Sequence, residues 1–118
     1  LIDVEKVEDV VVLKLRGLVD SGTSQVIEKR LNDLISDGNV KILVDLDLVD
    51  YIRSAGWGIF IGEIKGVRND NGDIKLASMR PDVREVFDLL EFNTLLTPYD
   101  SRGDALAAFE AEKRSELA

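Results

Sequence analysis

The segment VKILVDLDLVDYIRSAGWGIFIGEIKGVR, residues 40 to 68, decides how this chain folds. Its first part, Val40 to Leu48, is so apolar that it predicts a strand buried on both faces, as in a parallel sheet covered on two sides. Its last part, Ile59 to Val67, has the pattern of a helix. Ser54 lies among the nine residues Asp50 to Gly58, and is therefore predicted to sit in the turn between this strand and this helix.

Ser54 is predicted to lie where a phosphate group can be held. A helix that follows a strand begins with backbone N–H groups that have no partner in the helix, and its dipole is positive at that end. Gly56 and Gly58 carry no side chain that blocks the approach of another backbone. The plainer interpretation is that Ser54 caps the helix, because serine is a favoured N-cap residue. The local pattern alone leaves both interpretations open.

Strands and helices alternate along the rest of the chain. Before the segment described above, we predict a short strand at Ile2 and Val4, a strand from Val10 to Arg16, and a helix capped by Ser21 or Thr23 and ended by Asp37-Gly38. After it, we predict a turn at Asn69 to Gly72, a strand from Ile74 to Ser78 and a helix that begins at Pro81. The chain then forms a short edge strand within Leu95 to Tyr99 and a last helix from Asp100 or Ser101, which packs through Leu106 and Phe109. This alternation predicts an α/β sandwich with a mixed sheet of four or five strands and about four helices. We expect one domain over residues 1–118, with residues 111–118 as a fraying, solvated tail.

Asp20 and Ser54 each follow an apolar strand, and we expect them at the same end of the sheet. If the two strands are parallel neighbours, the residues that follow them lie at the edge where α/β folds place their sites. Asp20 has the alternative role of capping the helix that it precedes. Arg53 is expected to be exposed and to pair with Asp50, with Asp20 or with a phosphate on Ser54.

Trp57 and the glycines of the second helix each have two interpretations. Trp57 is either a buried core residue or an exposed contact for a partner, since tryptophan is usually buried but is also a frequent binding hot spot. Gly58, Gly62 and Gly66 recur every four residues and form one smooth stripe. We expect that stripe to pack closely on a neighbouring element rather than to form a groove for a partner.

Composition excludes several classes of function. The chain contains no cysteine and no histidine, which removes disulfides, thiolate chemistry and histidine-assisted nucleophiles. We predict no enzyme activity, no cofactor and no metal site, and interpret Asp45, Asp47 and Asp50 as edge, turn and solvated residues. The net charge of −8 argues against nucleic acid and anionic lipid. This acidity either serves solubility alone or matches a basic groove on a protein partner. No apolar run has the length of a membrane helix, so we expect no membrane insertion. The absence of cysteine and of a signal-peptide pattern before the first strand makes the cytoplasm the expected location.

Several motifs together resemble the STAS domain family, the bacterial anti-sigma factor antagonists. The run Gly17-Leu18-Val19-Asp20 with Thr23 is similar to the family's Gly-Glu-Leu-Asp followed by Thr. The strand Val44-Asp45-Leu46 and the loop Ser54-Ala55-Gly56-Trp57-Gly58 resemble its apolar strand and its Asp-Ser-Ser/Thr-Gly-Leu-Gly loop. Later landmarks, in the family's order, are Asn71-Gly72 before Ile74-Lys75-Leu76, Pro81 with Val83, Val86, Phe87 and Leu90, and Asp104-Ala105-Leu106. The resemblance covers nearly the whole chain.

The resemblance implies a STAS fold and a partner that is an anti-sigma factor with serine kinase activity. That partner would phosphorylate Ser54, and the phosphate would break the complex. The implied partner-binding residues are Asp20, Thr23, Arg53, Ser54, Ala55, Gly56 and Trp57. The chain departs from the family at Arg53, where Asp is usual, and at Trp57, where a small aliphatic residue is usual. Arg53 favours the alternative of a constitutive assembly or transport-accessory module without phosphorylation, and the sequence sets no oligomeric state.

Overall fold

One five-stranded sheet organises the protein. In the computed structural model, which describes residues 2–117, the elements in chain order are β1 (Ile2–Val7), β2 (Val10–Val19), α1 (Ser21–Ser36), β3 (Lys41–Ile52), α2 (Ser54–Asn69), β4 (Asp73–Ala77), α3 (Pro81–Leu89), a 3₁₀ turn (Phe92–Thr94), β5 (Thr97–Tyr99) and α4 (Arg102–Leu117). The strands lie side by side in the order β1-β2-β3-β4-β5, with β1 antiparallel to β2 and every other neighbouring pair parallel. The predicted mixed sheet with about four helices is confirmed.

The strands β2 and β3 lie at the centre because they are apolar on both faces. Leu13 and Val44 contact the layer formed by α1, α2 and α3, whereas Val12 and Leu43 contact α4 on the other face. Helix α1 buries Ile27 and Leu31, which lie on one face of the helix, against this sheet. The result is three layers, in which a single helix covers the second face of the sheet.

Both central strands are longer than their apolar cores predict. The pairing of β2 with β3 continues past Arg16 through Leu18↔Tyr51 and Val19↔Ile52, with two irregularities in register. Gly17 has φ +81° and lies within β2 at one of these irregularities, so it bends the strand instead of ending it. The connection between β3 and α2 is therefore reduced to Arg53 alone. The apolar core of each strand did not reveal this extension, because it depends on cross-strand pairing.

Helix α4 continues through most of the stretch that was predicted to fray, residues 111 to 118. It runs to Leu117, and the Glu112 carboxylate lies 2.6 Å from Nζ of Lys75. That lysine is almost fully buried, and Nζ also contacts Asp73 at 2.9 Å. Burial lowers the pKa of Lys75, but the bonds to Glu112 and Asp73 outweigh it and raise the pKa above its ordinary value. This buried ammonium ties the C-terminal half of α4 to β4.

The prediction that Asp45, Asp47 and Asp50 are edge, turn or solvated residues is wrong for Asp45 alone. Asp45 is only 4% exposed, and its carboxylate accepts hydrogen bonds from Nη2 of Arg102 at 3.0 Å and from Nε at 3.2 Å. A buried carboxylate needs such a partner, which comes from α4 and is invisible in the local sequence. Asp47 is exposed, and Asp50 is exposed and pairs with Arg80. Within residues 2–117 no cluster of acidic side chains is placed to hold a metal ion, and no helix is long and apolar enough to cross a membrane.

The expectation that the glycine stripe of α2 packs closely is wrong. Gly58, Gly62 and Gly66 are exposed, and a Cβ added at any of them would have no neighbouring atom within 4 Å. Gly56 is the glycine that packing requires, since an added Cβ would lie 2.6 Å from Cγ1 of Val19 and 2.8 Å from Cγ2 of Ile52. The absence of a side chain at Gly56 thus lets the start of α2 lie directly on the ends of β2 and β3.

We expect opposite effects from adding a methyl group at these two kinds of glycine. Gly56→Ala forces its neighbours apart and should lower the free energy of unfolding by about 1–3 kcal/mol. Gly62→Ala, on the same helix but in open space, should raise it by about 0.5–1 kcal/mol, because alanine loses less entropy in a helix. Denaturant unfolding of both variants measures this, and a Gly56→Ala variant as stable as Gly62→Ala would contradict the packing described here.

Candidate functional site

The ends of β2 and β3 bring Asp20 and Ser54 to the same edge of the sheet. The two strands are parallel neighbours whose last residues, Val19 and Ile52, are paired. The chain is held together beyond that pair as well, because the backbone N–H of Arg53 donates to the carbonyl of Val19 at 2.9 Å. Asp20 and Ser54 each follow one of these two strand ends, so the predicted shared edge is confirmed.

Asp20 and Thr23 form a reciprocal cap at the start of α1. Oδ1 of Asp20 accepts the Thr23 N–H at 3.0 Å, and Oγ1 of Thr23 accepts the Asp20 N–H at 2.8 Å. The alternative role of Asp20 as the cap of this helix is therefore confirmed, and the N-cap position is not occupied by Ser21 or Thr23. The backbone N–H of Thr23, followed by its hydroxyl, lowers the pKa of the Asp20 carboxyl below its ordinary value, and nearby Arg53 contributes in the same direction. Asp20 thus presents a fixed negative charge.

Ser54 is the first helical residue of α2 and is exposed. The interpretation of Ser54 as the cap is wrong, because Arg53 occupies the N-cap position and makes no side-chain capping bond. The carbonyl of Arg53 accepts the N–H groups of Gly56 at 2.9 Å and Trp57 at 3.3 Å, which closes the first turn. No acidic residue lies in that turn to offset the positive end of the dipole. The hydroxyl of Ser54 therefore stands at an electropositive, accessible helix start.

Arg53 lies beside Ser54 and stacks on Tyr51. Its guanidinium carbon is 5.7 Å from the centroid of the Tyr51 ring, a cation–π contact on the exposed end of β3. The predicted pairing with Asp50 does not form, since Asp50 contacts Arg80. Arg53 is thus an exposed cation next to the Ser54 hydroxyl.

We expect Arg53→Asp to change the free energy of unfolding by no more than about 0.5 kcal/mol. The exposed cation–π contact contributes about 0.5–1 kcal/mol, and aspartate returns a similar amount because it caps a helix that arginine leaves uncapped. Denaturant unfolding against the wild-type protein is the measurement. A loss of several kcal/mol would reveal a structural role for Arg53 that its exposed position does not suggest.

Trp57 belongs to the core, and its prediction as a partner contact is wrong. Its side chain is 1% exposed and packs on Phe87 and Phe92, with ring centroids 5.5 Å and 5.3 Å away. Gly56 is buried as well. The predicted residues that remain accessible at this edge, wholly or in part, form what we call the strand-end surface: Asp20, Thr23, Arg53, Ser54 and Ala55.

Two apolar residues beside this surface were not predicted. Leu18 and Tyr51 are register neighbours at the ends of β2 and β3, and they are 42% and 45% exposed. The next residues along these strands, Val19 and Ile52, point into the core, so Leu18 and Tyr51 face the other side of the sheet. Side chains that face alternately inward and outward along β2 and β3 would have indicated Leu18 and Tyr51. This pattern can be used only when the two strands are known to extend to Val19 and Ile52.

Comparison with known proteins assigns the family. The family profile described as “STAS domain” matches residues 2–105. The chain belongs to the STAS domain family. A protein of Bordetella bronchiseptica named “Putative anti-sigma factor antagonist BtrV” is 31% identical to this STAS domain over 106 residues, which cover 90% of this chain and 91% of that protein.

Solved structures share the fold of this STAS domain. A crystal structure from Thermotoga maritima superposes with a TM-score of 0.85 at 23% identity and covers 91% of this chain and 92% of that one. The anti-sigma factor antagonist SpoIIAA in its unphosphorylated form gives 0.81 at 20% identity, covering 94% and 97%. The phosphorylated form of SpoIIAA from Bacillus gives 0.71 at 19% identity, covering 92% and 99%. At these identities the likeness establishes the fold.

Proposed function

We propose that this STAS domain is an anti-sigma factor antagonist. It binds an anti-sigma factor that has serine kinase activity through the strand-end surface, and phosphorylation of Ser54 switches it off. The observation that carries this proposal is the exposed Ser54 hydroxyl at the start of α2, one strand away from the fixed charge of Asp20. The name of the Bordetella bronchiseptica relative and the two phosphorylation states of SpoIIAA support it.

The local electrostatics of the site support a phosphate on Ser54. The phosphate would carry about −1.5 to −2 charges, and the uncompensated positive end of the α2 dipole attracts negative charge. Arg53 provides a second attraction from the neighbouring position. The domain therefore tolerates the modification, while the chain's net charge of −8 becomes still more negative. The phosphate is therefore expected to weaken the binding of a partner rather than to destabilise the fold.

The domain acts as the substrate of its partner and not as an enzyme. A kinase bound at the strand-end surface supplies the ATP, and Ser54 supplies the attacking hydroxyl. Binding of the unmodified domain occupies the anti-sigma factor and frees the sigma factor. Because a sigma factor acts in transcription, this proposed role implies that the domain is cytoplasmic.

Incubation with the kinase-like anti-sigma factor of the same organism and ATP tests this proposal. Mass spectrometry should find one phosphate, on Ser54, and none on Ser21, which is exposed at the start of α1. Ser54→Ala should remain unmodified, whereas Ser21→Ala should be modified like the wild-type protein. A phosphate on another residue, or none on Ser54 in a complex that forms, would overturn the switch.

Arg53 favours a second candidate function, a constitutive assembly or transport-accessory module. In the structure this arginine is held over Tyr51 at the position before Ser54, where the family usually has aspartate. A stable complex that forms with its partner and leaves Ser54 unmodified in the presence of ATP would select this second candidate.

A further inference from the structure

A surface groove runs between α1 and α2 beside Ser54. Its volume is about 230 Å³, and its walls are formed by Ser21, Ser24, Gln25 and Glu28 of α1 and by Ala55 and Ile59 of α2. The α1 residues recur at intervals of three and four, as do the two α2 residues, so each set lies on one helix face. The groove opens at the strand-end surface, because Ala55 directly follows Ser54.

Ser24 lines this groove, and its buried hydroxyl has no hydrogen-bond partner among the described residues. The residue is 4% exposed. Leaving a buried hydroxyl unpaired costs roughly 1–3 kcal/mol, so native proteins seldom retain one without a use. An incoming polar group that reaches the floor of the groove would supply the missing bond.

The charge of the groove indicates which polar group fits. Glu28 is the one charged residue among those that line it, and no residue of the described chain forms an ion pair with Glu28. The start of α2 attracts an anion at Ser54, but the capping box of Asp20 and Thr23 already occupies N–H groups of α1, and Glu28 disfavours an anion further along the groove. A cation is favoured by Glu28 and by the net charge of −8.

We propose that the groove receives a lysine or arginine side chain of the anti-sigma factor. The aliphatic stem lies against Ala55 and Ile59, and the cationic head donates to the Glu28 carboxylate and to Oγ of Ser24, one turn away on the same face of α1. This inference rests on the proposed function for the identity of the partner. The inference goes beyond that function, because it assigns a pocket separate from Ser54 that selects a positively charged side chain of the partner.

The position of Glu28 keeps this contact compatible with the switch at Ser54. Ser21 and Ser54 begin α1 and α2 at the same edge of the sheet. Glu28 lies seven residues further along α1, about 10 Å from the start of that helix at 1.5 Å per residue. Because the screening length at physiological ionic strength is about 8 Å, a cation held at Glu28 attracts a phosphate on Ser54 only weakly.

Matched charge reversals test the groove. Glu28→Lys and Glu85→Lys change the net charge by the same amount, and Glu85 is an exposed residue of α3 outside the groove. Calorimetric titration with the anti-sigma factor should show at least a tenfold loss of affinity for Glu28→Lys and less than a twofold loss for Glu85→Lys. Ser24→Ala should bind at least threefold more weakly and yet unfold at higher denaturant concentration, because it removes an unpaired buried hydroxyl. Equal losses for the two charge reversals would overturn the proposal.

A small cation separates failure of the groove from failure of the proposed function. If the wild-type domain binds no anti-sigma factor, the proposed function fails, and the groove is then judged with propylguanidinium chloride in a backbone-amide NMR titration. Saturable shifts should appear at Ser24, Gln25 and Ala55 in the wild-type domain and in Glu85→Lys, but not in Glu28→Lys or with sodium chloride at equal ionic strength. Linear or scattered shifts in the wild-type domain would overturn the cationic groove, and saturation with sodium acetate instead would assign the groove to a carboxylate.

Discussion

Phosphorylation of Ser54 is expected to lower the affinity of this domain for its anti-sigma factor by roughly 10²-fold or more. If the partner is the proposed kinase, the added charge of about −1.5 to −2 must lose its hydration inside the interface, next to the nucleotide phosphates that the kinase holds. Arg53 and the start of α2 offset this charge within the free domain but do not bring a matching cation from the partner. A few kcal/mol of uncompensated desolvation and repulsion accounts for the loss.

Titration of the anti-sigma factor with purified phosphorylated and unmodified domain measures this effect. Circular dichroism and thermal unfolding of both forms serve as the control, and we expect the two forms to share the same fold. Ser54→Ala should bind as the unmodified domain does, because alanine keeps the helix start and adds no charge. Equal affinities for the phosphorylated and unmodified forms would leave the constitutive module as the better account.

Trp57→Ala is expected to lower the free energy of unfolding by about 3–5 kcal/mol. The indole is almost fully buried against Phe87 and Phe92, and its removal leaves a cavity that surrounding helices cannot close. Domains of this size are stable by about 5–15 kcal/mol, so the change is a large fraction of the total.

Denaturant unfolding compares Trp57→Ala with Leu89→Ala. Leu89 is 78% exposed, and its truncation should cost no more than about 0.5 kcal/mol. A small loss for Trp57→Ala together with weaker partner binding would return Trp57 to the partner surface and contradict its assignment to the core.

The sequence carried most of the fold because its signals are local. The apolar runs of β2 and β3, the Asp-Gly that ends α1 and the proline that starts α3 each specify an element within a few residues. Gly38 takes the left-handed conformation, with φ +97°, that its position after α1 predicts. The shared edge of Asp20 and Ser54 followed from the strand-helix-strand order alone.

The errors concern residues whose environment comes from distant parts of the chain. Trp57 is buried by aromatic rings of α3 and the following turn, and Asp45 is paired by Arg102 of α4. The open glycine stripe of α2 has the same origin, since helical spacing shows that Gly58, Gly62 and Gly66 share a face but not what covers it. The hydroxyl of Ser24 is buried without a partner because α1 and α2 pack together, and no local sequence pattern predicts this packing.

Displacement of the sigma factor tests the central claim most directly. A fluorescently labelled sigma factor is bound to the anti-sigma factor in the presence of nucleotide, and its anisotropy is followed as this domain is added. We predict that the unmodified domain releases the sigma factor stoichiometrically, and that the domain phosphorylated at Ser54 does so only at roughly 10²-fold higher concentration. Retention of the sigma factor at saturating unmodified domain, or release by both forms alike, would contradict the account.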